Sequence, residues 1–322
     1  MTKYTFLKNV NSNQKKYLDL FKNDKTFKYI KRNCILCNNK TFKTLYKNDR
    51  YNIEVKTVMC NKCGFVFTNP MLDSNSQNLF YTSGYYRNIY STKNNWEENL
   101  KDELILNVRK KPSSNKPNFN KYYDLLFFDY INNLELDFNS VFEVGAKVGL
   151  NLIYFKNINK YVEGSEPNNS SRKIAREFNI NLFDNFENTQ KKYDLVILRH
   201  VLEHMYDPIS ELKKVNNLSN KYVFIEVPGF INRVPSIQNA HNFYFSKKSL
   251  EKTVNLAGLK IIDLQTCLVN DYIFALCQKE NSKINELNQV SKFHSEKDKF
   301  NVTKIYYLQK IKYYIKKNFF SA

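Results

Sequence analysis

Three groups of residues carry side chains that can do chemistry at the spacing they have. Cys34-Ile-Leu-Cys37 and Cys60-Asn-Lys-Cys63 repeat a C-x2-C unit. Each unit can set two thiolates on one side of a tight turn, which is half of a tetrahedral zinc shell. Gly64, next after the last cysteine, frees the backbone for the turn that aims the sulfurs inward. A closed four-cysteine site has no open coordination position, so its zinc would be structural, folding a small module without reacting. Redox use would call for a single C-x-x-C beside a βαβ unit, and neither pair has one. Cys267 and Cys277 fall in apolar strand-like runs and read as core residues.

The second group is the turn in "VFEVGAKVGL", residues 141–150. Gly145 and Gly149 let backbone approach a ligand closely at the end of a strand. A dinucleotide would need G-x-G-x-x-G, so that a pyrophosphate can rest on a helix N-terminus; here the turn reads G-x-K-x-G, with Lys147 in the middle. An adenosyl group without phosphate asks less of that position, but its ribose still needs an acidic acceptor. Glu166, in "YVEGSEPN" at the end of the following strand, offers one. The third group is His200-Val-Leu-Glu203-His204. Imidazole titrates near neutrality, so His204 could take a proton from a substrate while Glu203 orients it or binds that substrate. The same letters also spell an inverted zinc-protease motif, which would need both histidines on one helical face and a third ligand downstream. A third reading has the histidines merely packing beneath the turn.

These groups need elements to hold them. From Ser140 onward, short apolar runs alternate with amphipathic segments. Strands are predicted at "SVFEVG", "KYVEGS", "YDLVIL", "KYVFIEV", "LKIIDLQ" and "DYIFALC", with a weaker one at "INLF". Helical patterns cover 150–157, 168–178, 201–218 with an interruption at Pro208, and 246–257, the last with Ser246 as N-cap and Gly258 just past its end. Strands apolar on both faces and separated by helices imply a parallel sheet covered on both sides. The chain divides into a basic N-terminal extension (1–33), a four-cysteine module (34–80), an α/β domain (81–280) and a basic tail (281–322). Prolines, serines and lysines around 109–121 mark a loop.

Fifty Lys+Arg against 31 Asp+Glu give a formal charge of +19, compatible with a polyanionic partner. The charge is spread among asparagines, tyrosines and isoleucines almost everywhere, which is the pattern of a solvated basic surface. No apolar run reaches the roughly 18 residues that span a bilayer, and the N-terminus has no hydrophobic signal region, so a cytoplasmic location is expected. In the tail, Ile305, Leu308, Ile311, Ile315 and Phe319 recur at helical spacing with lysines between them. Such a helix would dock on its own domain or a second subunit, and peripheral association with the anionic inner face of a membrane stays open.

Taken in order, "CILCN…CNKCGFVFTNP", "FEVGAKVG", "EGSEPN", "YDLVILRHVLEHMYDP", "IEVPG" and "HNFYFSKKSLEKTVNLAGLK" resemble class I S-adenosylmethionine-dependent methyltransferases with an N-terminal zinc-binding module. The resemblance implies an α/β fold. Its core is a Rossmann-like, doubly wound, seven-stranded sheet whose last strand is antiparallel, joined to a small zinc ribbon. It also implies S-adenosylmethionine as cofactor, structural zinc, and a small-molecule or glycan acceptor, often in nucleotide-sugar or surface-polysaccharide pathways. Carried over, Glu143, Gly145, Ala146 and Gly149 would lie along the methionine part of the cofactor, Glu166 and Pro167 at its ribose, and His200 beside it. Glu203, His204 and His241 would face the acceptor, and Tyr81, Tyr85 and Tyr86 would close over the cofactor or supply a phenol to the acceptor, a core role for any one of them being the alternative. Lys147 departs from the glycine commoner in the family. The short stretch after the last predicted strand tilts the expectation towards O-transfer over C-transfer. A nucleic-acid methyltransferase is disfavoured, because "RHVLEH" replaces any N-P-P-Y-type stretch and the cysteine module carries no dense comb of Arg and Lys. A catalytically inert scaffold remains the third class.

Overall fold

The computed structural model describes residues 10–91, 136–229, 237–266 and 272–279, with 97–99, 101, 102, 105, 127, 128, 130–132 and 134. The basic tail, the 109–121 loop and Cys267 lie outside the described residues.

Seven strands build the larger sheet: β6 (Ser140–Val144), β7 (Tyr161–Ser165), β8 (Leu182–Phe183), β9 (Tyr193–Arg199), β10 (Ser219–Pro228), β12 (Leu259–Thr266) and β13 (Tyr272–Lys279). Their order is β12-β13-β10-β9-β6-β7-β8. Strands β6 to β10 pair in parallel, and β13 runs antiparallel between β10 and β12. This is the predicted α/β arrangement with its antiparallel last strand. The apolar runs predicted it because strands covered on both faces cannot alternate with polar residues; Leu195, Val196, Ile197 and Leu198 of β9 are all fully buried. Among the described residues, no helix is long and apolar enough to cross a membrane.

Helices α4 (Leu150–Asn157), α5 (Asn169–Glu177), α6 (Pro208–Leu218) and α7 (Lys247–Leu256) connect these strands. Their starts follow ordinary capping chemistry: Asn168, Asp207 and Ser246 each accept a hydrogen bond from a backbone N–H of the first turn. One expectation is corrected. Pro208 does not interrupt a helix begun at Val201 but opens α6 at its first position, where the missing N–H costs nothing. The residues before it form only a 3-10 turn, Leu202–His204.

The N-terminal part has its own sheet, ordered β11-β4-β3-β2, from β2 (Phe42–Asn48), β3 (Glu54–Cys60), β4 (Val66–Thr68) and β11 (Phe243–Tyr244). The last of these comes from the far end of the chain, pairing Phe243 with Phe67 and Tyr244 with Val66. One continuous core runs from Cys34, Leu36, Phe65 and Phe67 to Phe142, Val196 and Phe245. The stretch before the cysteines contains α1 (Ser12–Asn23), whose Leu18 and Phe21 are buried, and β1 (Tyr29–Ile30), which pairs with β5 (Met71–Leu72). Two short helices follow, α2 (Ser74–Thr82) and α3 (Tyr85–Tyr90); Phe21, Phe27, Phe80 and Tyr85 stack among them and α1. This aromatic cluster packs α3 against α1 and α2.

Candidate active site

A crevice of about 190 Å³ opens at the carboxyl ends of the parallel strands, where ligands of such sheets bind. The turn after β6 forms one wall. Gly145, Lys147 and Gly149 have φ of 68°, 54° and 81°, so three residues of the turn are left-handed. Glycine adopts that conformation without strain, and Lys147 adopts it with its side chain exposed to solvent. A Cβ on Gly145 would come within 2.6 Å of Val201 Cγ2, so backbone alone fits there. The turn is pinned across the sheet by Ala146 N–H donating to Ser165 O (2.8 Å).

Glu166 forms the second wall. Its Oε2 accepts from the Lys147 N–H (3.0 Å) and its Oε1 from the Asn168 N–H (3.0 Å), so the glycine turn and the acid face one space. Arg87, from α3, adds an ion pair through Nη2 to Oε2 at 3.2 Å. Of the residues singled out in the sequence, Gly145, Glu166, Pro167, His200, His204 and Tyr81 line the crevice, as does Tyr86. Glu143, Ala146, Gly149, Glu203 and His241 are not among the residues that line it. Tyr85 stands away from the crevice, donating to Asp24.

A polar network crosses the strand ends. Glu143 Oε1 accepts from Asn151 Nδ2 (2.6 Å), Asn151 Oδ1 accepts from Arg199 Nη1 (3.0 Å), and Arg199 Nε donates to Glu226 Oε2 (2.7 Å). His200 Nε2 meets the other Glu226 oxygen at 2.9 Å. Burial alone would raise the pKa of Glu226, but Arg199 and His200 outweigh it and hold the group at about 2. Burial likewise opposes the charged ring of His200, yet Glu203 and Glu226 raise its pKa to about 9. His200 therefore carries charge at neutral pH. His204 is the reverse case: burial lowers its pKa against the pull of Glu203, and the ring is neutral.

At the corner beyond, His204 Nδ1 lies 2.8 Å from Ala240 O and 2.9 Å from the Tyr81 hydroxyl. A neutral ring donating from Nδ1 to that carbonyl keeps its lone pair on Nε2, 3.8 Å from Glu203 Oε1. The His241 ring packs edge-on to His204 at 4.7 Å, and its Nε2 contacts the side-chain amide of Gln238. Both carboxylate oxygens of Glu203, a residue 1% exposed, lack a hydrogen-bond donor among the described residues. His200 sits at a left-handed corner (φ 54°) and Glu203 and His204 on the 3-10 turn, so the helical face that the inverted zinc-protease motif requires is not formed.

The four cysteines converge as their spacing predicts. Cys34 and Cys63 sulfurs are 3.5 Å apart, as are those of Cys37 and Cys60, and all four lie within 4.8 Å of one another. Sulfurs around a tetrahedral zinc at about 2.3 Å would be about 3.8 Å apart, so this donor set fits that ion. Arg87, Arg199, Glu226 and Asn151 escaped the sequence reading. Arg199 and Glu226 could have been suspected as charges at the ends of otherwise apolar strands; nothing in the sequence ties Arg87 to Glu166.

A family model described as "Methyltransferase domain" matches residues 119–264. A search of curated proteins found no match. Among solved structures, the chain is similar to the magnesium protoporphyrin IX methyltransferase of Synechocystis PCC 6803 with bound S-adenosylhomocysteine (12% identity, 64% of this chain and 99% of that one, TM-score 0.45). It is also similar to an S-adenosylmethionine-dependent methyltransferase from Clostridium acetobutylicum ATCC 824 (12%, 57% and 97%, TM-score 0.43). A third likeness is to the 1,6-didemethyltoxoflavin-N1-methyltransferase of Burkholderia thailandensis (14%, 47% and 74%, TM-score 0.39). Because the matched span encloses both the left-handed turn and Glu166, the chain carries a methyltransferase domain and is an enzyme of that class.

Proposed function

We propose that the methyl donor is S-adenosylmethionine and that the acceptor is a hydroxyl of a sugar or related small metabolite, with structural zinc on Cys34, Cys37, Cys60 and Cys63. The observation that carries this reading is that Glu166 and the 145–149 turn share one crevice, which continues directly to Tyr81 and His204. The residues present suit an adenosyl group: an acid for the ribose hydroxyls, backbone close enough to lie along the amino-acid chain, and no demand for a phosphate. When bound, the cofactor supplies an electrophilic methyl on a sulfonium.

The chain's own residues would do the rest. Gly145, with Ala146 and Gly149 shaping the turn behind it, gives the room beside which the methionine part lies. Glu143 acts at one remove, through Asn151 and Arg199. Pro167 and Glu166 flank the ribose, and charged His200 stands at the wall between the two ends. At the acceptor end, neutral His204 takes the hydroxyl proton on Nε2 as the methyl moves, and Glu203, 3.8 Å away, stabilises the imidazolium that results. Tyr81 and His241 orient that ring. Most of the rate would come from lining up acceptor oxygen, methyl carbon and sulfur.

Isothermal titration with S-adenosylhomocysteine tests the donor: binding by the wild type, and binding weakened about 10- to 100-fold in Glu166→Gln, is the expected result. No binding at all would overturn the reading. Transfer of labelled methyl to a panel of nucleotide sugars, with total RNA as the competing substrate, tests the acceptor; label in RNA alone would overturn the sugar assignment.

A further inference from the structure

The ion pair on Glu166 is more than a surface contact. Its two side chains are 13% and 5% exposed, and Arg87 belongs to α3 of the N-terminal part, not to the sheet that carries Glu166. A carboxylate accepts about four hydrogen bonds. On Glu166, two are taken by the backbone N–H groups of Lys147 and Asn168, which the turns on either side fix in place. The third is taken by Arg87. A vicinal diol brings two O–H donors and so needs the position that Arg87 holds. The crevice lined by Arg87 measures about 190 Å³, below the roughly 300 Å³ at which ligand pockets usually begin. The guanidinium rests over the Tyr86 ring at 5.5 Å, and α3 is a helix of six residues that starts from Gly84 in a left-handed conformation (φ 86°). Arg87 is thus held on a short helix that, like α2 with its Gln77 and Tyr81, borders the crevice without belonging to the larger sheet or its turns.

We propose that Arg87 is an affinity-determining residue of the cofactor seat: it occupies Glu166 in competition with the ribose diol and must yield before the diol can bind in full. This rests on the S-adenosylmethionine reading above. Each binding event then includes the breaking of the Arg87–Glu166 pair, and each release of product allows it to re-form, so the residue lowers affinity for substrate and product alike and favours turnover over retention.

The test is isothermal titration of the full-length, metal-loaded protein with two probes, S-adenosylhomocysteine and its analogue lacking both ribose hydroxyls. Arg87→Gln should bind S-adenosylhomocysteine about three- to tenfold more tightly than wild type, while affinity for the diol-less analogue stays within about twofold. Arg87→Lys, which keeps the charge but not the planar fork, should fall between. Thermal melts check that each variant is folded, and raised salt, which screens the pair in the wild type, should narrow the difference from Arg87→Gln. Binding of S-adenosylhomocysteine that is unchanged or weaker in Arg87→Gln, or an equal gain for both probes, overturns the proposal and leaves the cofactor reading intact. Absence of binding in every variant overturns both.

Discussion

His200 shows how far a single side chain is set by what surrounds it. The ring gains Glu226 and Glu203 on folding, which raises its pKa from about 6.5 to about 9. A raised pKa stabilises the fold fully below the unfolded value, and that contribution is lost as pH climbs through the folded one. Glu226, depressed from 4.5 to about 2, contributes above 4.5 and fails only as pH falls through 2. The pair is therefore strongest between about pH 4.5 and 6.5, and the melting temperature should decline from pH 7 to pH 9.5; in His200→Gln that decline should largely vanish. A wild-type melting temperature that is flat across this range would contradict the assignment. His204 calls for a different measurement. His204→Gln should retain S-adenosylhomocysteine affinity within a few fold while kcat drops about 10²- to 10⁴-fold, and an equal loss of binding would make the residue structural. The placement of Glu166 beside the turn that begins at Gly145 was legible in the sequence because both positions follow from spacing along one βαβ unit. Arg87 was not, because its partner lies 79 positions away and only folding brings them together.

Among elements, the turn after β6 bears the tightest steric constraint. Gly145→Ala would keep a left-handed φ that a Cβ opposes by about 1–2 kcal/mol, and would drive that Cβ to 2.6 Å from Val201 Cγ2. We expect a loss of roughly 2–3 kcal/mol in stability by denaturant titration, with at least tenfold weaker S-adenosylhomocysteine binding as Val201 shifts in the crevice wall. The strands were legible for a simple reason: buried parallel strands print continuous apolar runs. Helix α6 was read too long because the apolar spacing of Val201, Leu202 and Met205 suits a helix. Pro208 nevertheless resets the start, and the residues upstream are spent on the corner that aims His200 and His204. The placement of β11 was invisible, since a two-residue strand has no period to detect.

For the whole molecule, the cysteine cluster and the larger sheet are built on one core. Cys34, Cys60 and Cys63 sit in the same core as Phe142, Val196 and Phe245, and Asp49 at the tip of the β2–β3 hairpin accepts from both Tyr90 Oη and the Asn239 N–H, beside the loop that carries His241. Stripping a bound metal with a chelator under reducing conditions should lower the melting temperature by roughly 10 °C or more, and in a single transition; two separate transitions would show that the halves are independent. The shared strand also bears on biosynthesis. A ribosome delivers β4 long before β11, so the flank of β4 meant for Phe243 and Tyr244 stays open for roughly 9–35 s of translation at about 5–20 residues per second. During that interval the nascent chain offers a bare ladder edge to any neighbour.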